Sequence, residues 1–407
     1  MTEAETAVTA AGDPRGTGAL GRRADAGGGS GKRLPLLDVL RGAAILGTLM
    51  TNVWIFAAAG SEVGILQGGF RPTLTDGTVG GLAEGLFRLL ADGKFLSLLT
   101  ILFGVGLAIQ FGSAERRGTP WPGRYKWRAL FLFAEGTVHF VLVFAWDVLM
   151  GYAVTALLVA WSLARGERFR GILMWTAGSL HLVLMLLGSW ALAAGDNDGG
   201  KGVDPDVVAL YADGSWGEQV LFRLQHAPLL RMEPLVTFGL LVFLFLLGVR
   251  LFRAGAFGDD DRGRALRKRL LRWGLGLGLP LTLAAGLAGS SFFLIERYVA
   301  APVVALGLIG LVGALLDRFG GASRTVAGLG AVGRCALSCY VLQNVLCMFL
   351  FYGFGLGLAA RWADQGPWWV MGVWAAVGAL LMAVSTLWLR RFAQGPLESV
   401  QRRLLRR

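Results

Sequence analysis

A histidine and a carboxylate stand four residues apart in one apolar stretch of this sequence. His139 lies in FLFAEGTVHFVLVFAWD and Glu135 precedes it, so a helix places both side chains on one face. A carboxylate can fix the tautomer of an imidazole, which then acts as a general base near neutral pH. Polar pairs at this spacing also join neighbouring helices in a membrane. The pair therefore predicts either proton transfer or interhelical packing.

Asp147 follows His139 by eight residues, in WDVLMGYA. A continuous helix would place Asp147 about 12 Å further along than His139, and His139 itself about 15 Å from the cytoplasmic end, near the middle of the bilayer. An acidic residue at this position also stabilises the N-terminus of the helix that follows. We expect Asp147 either to take part in the chemistry of His139 or to cap that helix.

The first apolar stretch, LDVLRGAAILGTLMTN, carries Asp38, Arg41 and Asn52. Arg41 suits a phosphate ligand, although Asp38 and Arg41 together also fit a helix cap and a basic side chain that reaches the membrane surface. Asn52 is a candidate donor to a developing oxyanion, or a bond between helices. Lys94 opens the stretch KFLSLLTILFGVG, where it either contacts a substrate or reaches the membrane surface.

A late apolar stretch, GRCALSCYVLQN, places Tyr340, Gln343 and Asn344 at helical spacing and Arg334 at its start. Strongly polar side chains are costly against lipid, so a shared polar face predicts a lined cavity within the protein. Arg334 would stand at the mouth of this cavity. We count these four residues among the candidate binding groups.

The composition is that of a membrane protein. Of the 407 residues, 55% are hydrophobic and 16% are charged, and apolar runs of about 20 residues, the length that spans a bilayer, recur along the chain. The net charge of +12 does not indicate nucleic acid, because the basic residues are confined to alternate segments between apolar runs. The three cysteines show no spacing typical of a metal site.

The hydrophobic pattern predicts an all-α bundle of ten membrane-spanning helices. Residues 1–33 form a disordered cytoplasmic tail, 34–394 the transmembrane domain with an extracytoplasmic loop at about 195–234, and 395–407 a basic cytoplasmic tail. Residues 82–93 form an amphipathic helix at the membrane surface. The predicted spans are 38–59, 94–112, 129–146, 147–164, 171–194, 235–252, 273–294, 301–316, 331–355 and 368–389.

The distribution of Lys and Arg predicts the orientation. Most of the 39 basic residues fall on the segments that face the cytoplasm if both termini do, which is the bias seen in plasma-membrane proteins. The exceptions fall on the opposite side and are Arg71, Arg88, Lys94, Lys201, Arg223, Arg231, Arg297 and Arg361.

Six motifs in order resemble the YeiB-like family of bacterial membrane proteins, also called domain-of-unknown-function family 418. They are LDVLRGAAILGTLMTN, KFLSLLTILFGVGLAIQ, EGTVHFVLVFAWDVLMGYA, FLLGVRLFRAGAF, GRCALSCYVLQN and RRFAQGPLESV. The resemblance covers about residues 34–402. In the last motif this chain has Ser399 where the family usually has Trp. The resemblance implies a helical membrane protein and leaves its activity open.

A more distant resemblance concerns the start of the first span. The pattern Asp38-x-x-Arg41-Gly42, followed by Asn52, is similar to that of transmembrane acyltransferases such as lysosomal heparan N-acetyltransferase. These enzymes use a cytosolic acyl-CoA to modify a substrate on the far side of the membrane. Their histidine shortly after the Asn has no counterpart here, so His139 would have to supply the base from another helix.

These observations favour a transmembrane acyltransferase that moves an acyl group from cytosolic acyl-CoA to a hydroxyl or amine of a small molecule or glycan. The phosphates of acyl-CoA, a co-substrate and not a tightly bound cofactor, would lie near Arg41 and Arg334. His139, Asn52 and Gln343 would line one cavity. Asn52 or Tyr340 would bond the oxyanion. Two alternatives stay open: a transporter or exporter with the same polar cavity, and a scaffold whose only partner is the bilayer.

Overall fold

The structure is a computed structural model that describes residues 34–64, 77–195, 202–320 and 323–406. The predicted tail at 1–33 lies outside the described residues. Throughout the described ranges the chain forms helices and turns, and it contains no strand there. The described part therefore has the all-α fold that the sequence predicts.

The described part of the chain forms twenty α-helices, with a 3₁₀ turn at Ser290–Phe292 and a π-helical turn at Glu296–Ala300. They are α1 Pro35–Ala57, α2 Ser61–Gly64, α3 Val79–Ala91, α4 Lys94–Arg116, α5 Tyr125–Leu142, α6 Leu149–Leu163, α7 Glu167–Ala194, α8 Pro205–Ala212, α9 Trp216–Gln225, α10 Ala227–Leu230, α11 Met232–Val236, α12 Phe238–Arg253, α13 Asp261–Leu287, α14 Phe293–Ile295, α15 Ala301–Phe319, α16 Arg324–Arg334, α17 Ala336–Phe351, α18 Leu358–Arg361, α19 Trp368–Trp388 and α20 Pro396–Arg406.

Helix α1 lies at the centre of the bundle and packs against α4, α16, α17 and α19. Pro35 occupies its first turn, where a missing N–H costs nothing. A Cβ on Gly42 would lie 1.9 Å from the carbonyl oxygen of Leu329, and one on Gly333 would lie 1.8 Å from that of Asp38. The glycine of the first motif thus permits contact between the backbones of α1 and α16.

Within the described ranges, six helical stretches are long and apolar enough to cross a bilayer. They are Pro35–Ala57, Val79–Arg116, Glu167–Ala194, Asp261–Leu287, Ser290–Phe319 and Trp368–Trp388. Of the other predicted spans, α6 and α12 have 15 and 16 residues, about 23 and 24 Å at 1.5 Å per residue. Helix α5 carries Lys126, Arg128 and Glu135 within its 18 residues. The total of ten spans stays a prediction.

The predicted span 331–355 is not one straight helix, which corrects the prediction. Helices α16 and α17 meet at Cys335 with a bend of 94°. The N-terminus of α17 is capped from the tail: Glu398 of α20 accepts hydrogen bonds from the backbone N–H of Leu337 (2.8 Å) and from the hydroxyl of Ser338. These hydrogen bonds attach α20 to the bundle. They also satisfy backbone N–H groups at the start of α17, which the break at Cys335 leaves without partners.

Helix α7 has an apolar outer face and a polar inner face. Its large apolar side chains point away from the protein, with Leu180 67% and Trp190 70% exposed, whereas the polar His181 and Ser189 face inward at 4% and 1%. This is the reverse of a water-soluble helix. A hydrocarbon environment favours this arrangement, so the protein is membrane-embedded.

The loop predicted at 195–234 folds into α8, α9, α10 and α11, and its residues 196–201 lie outside the described residues. Ser215 and Glu218 form a capping box at the start of α9. The two side chains accept hydrogen bonds from backbone N–H groups that have no partner within the helix. The predicted surface helix is buried on one side, because Gln219 and Arg223 are both 0% exposed. The loop therefore packs onto the bundle.

We expect α7 to run from the cytoplasm to the exterior. Gly166 and Gly202 flank it, are both exposed, and have open space where a side chain would go. Gly202→Cys should react with an impermeant thiol reagent in intact cells, whereas Gly166→Cys should react only after lysis. The native cysteines are buried and should give no background. The opposite labelling pattern would contradict the orientation.

Candidate functional site

His139 and Asp147 form the centre of the candidate site. The Nδ1 atom of His139 lies 3.1 Å from Oδ1 of Asp147, and the two residues are 2% and 1% exposed. An imidazole held in this way by a carboxylate has a fixed ring orientation. The pair therefore has the geometry of an oriented base.

The chain brings these two residues together by reversing direction. Helix α5 ends at Leu142 and α6 begins at Leu149, so Asp147 returns beside His139 instead of lying about 12 Å beyond it. His139 stands in the last turn of α5, about 21 Å from the helix start at Tyr125. The predicted position of Asp147 was wrong because the helix ends earlier than its apolar pattern, whereas the depth of His139 in the bilayer stays a prediction.

The orienting partner of His139 is Asp147, not the predicted Glu135. Neither carboxylate oxygen of Glu135 has a hydrogen-bond partner among the described residues. The spacing of four residues places Glu135 and His139 on one face but does not make the two side chains meet. Glu135 belongs to the wall of the bundle rather than to the histidine pair.

Two asparagines face the other nitrogen of the imidazole. Asn344 Nδ2 lies 3.3 Å from Nε2 of His139, and Asn344 Oδ1 accepts a hydrogen bond of 3.0 Å from Asn52 Nδ2. This chain of donors makes Nε2 the acceptor, so Nδ1 carries the proton and donates to Asp147. The neutral histidine has the tautomer that a general base requires at Nε2.

Asp147 has structural bonds as well. Its Oδ2 accepts hydrogen bonds from the backbone N–H groups of Leu149 (2.9 Å) and Met150 (3.3 Å), which caps α6 as the sequence allowed. Tyr340 donates to Oδ1 at 3.4 Å. Arg231 donates to the Asp147 backbone carbonyl at 2.8 Å. The carboxylate thus orients the histidine and caps a helix at once.

A second polar contact joins α1 and α17. Gln343 donates to the hydroxyl of Thr48 at 3.4 Å, one turn below the contact between Asn52 and Asn344 on the same two helices. Gln343 and Asn344 are 0% exposed. These residues form a polar seam between α1 and α17, but Gln343 does not touch the imidazole, and the single cavity lined by His139, Asn52 and Gln343 stays a prediction.

The remaining candidates lie elsewhere. Asp38 and Arg41 pair with each other at 3.7 Å near the start of α1, and Arg334 donates to the Ala393 carbonyl close by. Lys94 does not reach toward solvent: it is 1% exposed, and its Nζ lies 3.6 Å from a carboxylate oxygen of Glu296. Lys94 is thus part of a buried ion pair away from the histidine.

A cavity opens on the other side of Asp147. Leucines of α4 and α12 line its floor, and charged groups stand at its mouth, where Glu233 accepts bonds from Tyr298 (2.6 Å) and Arg297 (3.3 Å). His139 is not among its lining residues, so the cavity meets the histidine pair only through Asp147.

Two proteins are similar to this chain over nearly their whole length. The uncharacterized protein YxaH of Bacillus subtilis (strain 168) is 27% identical over 388 residues, which cover 90% of this chain and 92% of YxaH. The uncharacterized protein YeiB of Escherichia coli (strain K12) is 28% identical over 390 residues, 90% of this chain and 95% of YeiB. The model of a family described as protein of unknown function (DUF418) matches residues 251–407. The chain belongs to the YeiB-like DUF418 family.

The match to the DUF418 model covers only part of the site. It includes α17, with Tyr340, Gln343 and Asn344, and the cap formed by Glu398. His139 lies before the matched region. The similarity to YeiB and YxaH extends over 90% of this chain and is therefore the comparison that bears on α5. Neither the family description nor the two names state an activity, so function has to be argued from geometry.

The predicted site residues omit Arg231 and Glu62, which the structure places beside the histidine pair. Arg231 is one of the basic residues on the wrong side of the positive-inside pattern. Other exceptions are also bonded: Lys94 pairs with Glu296 and Arg297 with Asp92. In the sequence, a basic residue on the side of the membrane that the positive-inside pattern does not favour was therefore the signal for a buried ionic contact.

We expect Asp147→Ala to destabilise this DUF418 protein. Loss of a cap at a helix N-terminus costs about 0.5–2 kcal/mol, and a buried donor left without its acceptor, here His139 Nδ1–H, costs about 1–3 kcal/mol more. Asp147→Asn retains one oxygen and should fall between. Melting of the purified variants measures the effect; a wild-type melting temperature for Asp147→Ala would contradict these roles.

Proposed function

We propose that the protein is a membrane-embedded acyltransferase that takes an acyl group from acyl-CoA at the end of the bundle near Arg41 and passes it to a hydroxyl or amine beside His139. The observation that carries the proposal is the oriented pair of His139 and Asp147, which Asn344 joins to Asn52 of α1, the helix that also carries Arg41. Orientation by Asp147 leaves Nε2 of His139 as the basic atom.

The donor would lie along α1. Arg41 and Asn52 are eleven residues apart, which is about three helical turns, so they share one face and stand about 16 Å apart along the axis. This separation suits the extended arm of coenzyme A, with its phosphates at one end and its thioester at the other. The side chain of Arg41 is 30% exposed and offers a planar fork to phosphate oxygens.

The chemistry needs one proton acceptor and one oxyanion site. The acceptor hydroxyl or amine would replace the N–H of Asn344 at Nε2 of His139 and give up its proton there. Its lone pair would attack the thioester carbonyl, and the C–S bond would break to release coenzyme A as the thiol, which takes the proton from His139. Asn52 and Asn344 carry amide N–H donors for the carbonyl oxygen, and Asp147 stabilises the imidazolium.

A second candidate function, transport or export of a small molecule, rests on the cavity beside Asp147. That cavity has an apolar floor and a charged mouth but excludes His139. A transporter needs such a binding space and no base. Flux of substrate in vesicles without consumption of acyl-CoA would favour this reading over acyl transfer.

We expect His139→Ala to lower acyl transfer by about 10²–10⁴-fold, because a general base typically contributes that much. The assay is transfer from a labelled acyl-CoA in membranes that contain the purified protein, with a thermal melt of each variant. Two controls should stay close to wild type: His226→Ala, an exposed histidine, and Glu135→Gln, whose carboxylate does not contact the imidazole. Full activity per folded molecule in His139→Ala would refute the mechanism.

We expect Arg41→Gln to raise the KM for acyl-CoA by about tenfold and to change kcat little. A charge-assisted contact to phosphate is worth roughly 1.5–3 kcal/mol, and it is formed equally in the ground and transition states. Arg264→Gln is the matched control, since Arg264 is half-exposed and pairs only with surface aspartates. An unchanged KM in Arg41→Gln would exclude Arg41 from the donor site.

A further inference from the structure

The segment between α5 and α6, residues 143–148, decides where Asp147 lies relative to His139. At its start, the backbone N–H groups of Val143 and Phe144 both donate to the His139 carbonyl at 2.9 Å. The rest of the segment is held by residues distant in sequence. Its geometry is therefore imposed by its surroundings.

Glu62 of α2 holds the middle of the segment. Its Oε1 accepts a hydrogen bond of 2.9 Å from the backbone N–H of Ala145, and its backbone carbonyl accepts one of 2.9 Å from the indole of Trp146. The residue is 0% exposed. A buried carboxylate requires a cation or several donors, so Glu62 has to be paired.

Arg223 of α9 is that cation and also holds the end of α5. Its Nε lies 2.9 Å from Oε2 of Glu62, and its Nη1 donates to the Val141 carbonyl at 3.2 Å. Trp216, also on α9, donates to the Leu142 carbonyl at 2.9 Å. These carbonyls have no partner within α5 because the helix ends there. Helix α9 thus fixes the last turn of α5, which carries His139.

Two tyrosines also donate hydrogen bonds to the Glu62 carboxylate. Tyr211 donates to Oε2 of Glu62 at 2.7 Å, and Tyr352 donates to Oε1 at 3.4 Å. Burial and the neighbouring Glu62 raise the pKa of the Tyr211 hydroxyl well above its usual value, so it stays a donor. Burial alone would lower the pKa of Arg223, but Glu62 raises it above its usual value, and the guanidinium stays charged.

We infer that Glu62 and Arg223 are positioning residues for the proposed reaction: they set the 143–148 turn so that Asp147 meets Nδ1 of His139. We call Glu62, Arg223 and Trp216 the turn clamp. The turn clamp does not touch the imidazole and acts through the backbone of the segment. Its role in turnover rests on the proposed acyltransferase activity, whereas its effect on the geometry of His139 does not.

The energetics favour a role in geometry over one in stability. A fully buried ion pair is weak evidence for net stabilisation, because desolvation offsets the attraction and apolar replacements of both partners are often neutral. What an apolar pair cannot supply is the set of directional bonds to Ala145 and Val141. Removing both charges should therefore leave the protein folded while the turn loses its fixed geometry.

The test uses the full chain in lipid nanodiscs, labelled with ¹⁵N at histidine. The sequence has three histidines, and the spectrum of His139→Ala identifies the signals of His139 by their absence. The main variant is the double substitution Glu62→Met, Arg223→Met, which leaves no unpaired buried charge and removes the side-chain bonds to Ala145 and Val141. Trp216→Phe is a milder second variant that removes one bond to α5. Arg264→Gln is the control for loss of an exposed ion pair.

We expect the wild-type spectrum to show His139 with its proton on Nδ1. The double variant should shift these signals toward a mixture of tautomers and lower kcat by about 10²-fold, the effect of a displacement near 1 Å, with an unchanged KM for acyl-CoA. Trp216→Phe should shift the signals in the same direction by less. Unchanged His181 signals would show that the fold is retained.

Each outcome decides a separate point. If the signals of His139 stay at their wild-type positions in both variants, the turn clamp does not position it, whatever happens to activity. If the wild-type protein consumes no acyl-CoA but the signals move, the positioning role stands and the acyltransferase proposal fails. If the double variant does not fold, Trp216→Phe alone decides: unchanged His139 signals would overturn the inference.

Discussion

The contact between His139 and Asp147 depends on a reversal of the chain in the six residues between α5 and α6. Local bonds hold only part of that reversal: the N–H groups of Val143 and Phe144 return to the His139 carbonyl, and Asp147 caps α6. The last carbonyls of α5 and the middle of the segment find their partners on α9 and α2, because the helix that would have bonded them has ended. The site is therefore assembled from segments more than 80 residues apart in sequence, as the bond from Ala145 to Glu62 illustrates.

Two sets of polar groups lie on either side of Asp147. One set runs through His139, Asn344 and Asn52 toward α1 and suits a reaction. The other runs through Arg231, Glu233 and Arg297 around the cavity and suits binding. Because each buried charge in the second set has an ionic or hydrogen-bonding partner, the cavity mouth is rigid without being apolar. Asp147 belongs to both sets, which gives a physical route by which a molecule in the cavity would affect the histidine.

The membrane environment explains which residues the sequence could reveal. Strongly polar residues are so costly in hydrocarbon that a single one stands out, and this is why His139, Asn52, Asn344, Gln343 and Tyr340 were recognisable as candidate site residues. The same logic fails outside the apolar stretches. Glu62 carried no such signal, and Arg223 stood out only as an exception to the charge bias; their zero exposure in the structure shows that both are internal.

The sequence by itself determined the helical membrane class, the amphipathic helix before α4 and most members of the polar seam, because hydrophobic length and helical spacing are local properties. Its membership of the DUF418 family was readable from ordered motifs. The tertiary structure alone decided that Asp147 replaces Glu135 as the partner of His139, that the late polar helix is broken at Cys335, and that Lys94 is paired inside. Each of these depends on where a helix ends and which distant segment supplies the missing hydrogen bonds, and periodicity along the chain carries no information about either.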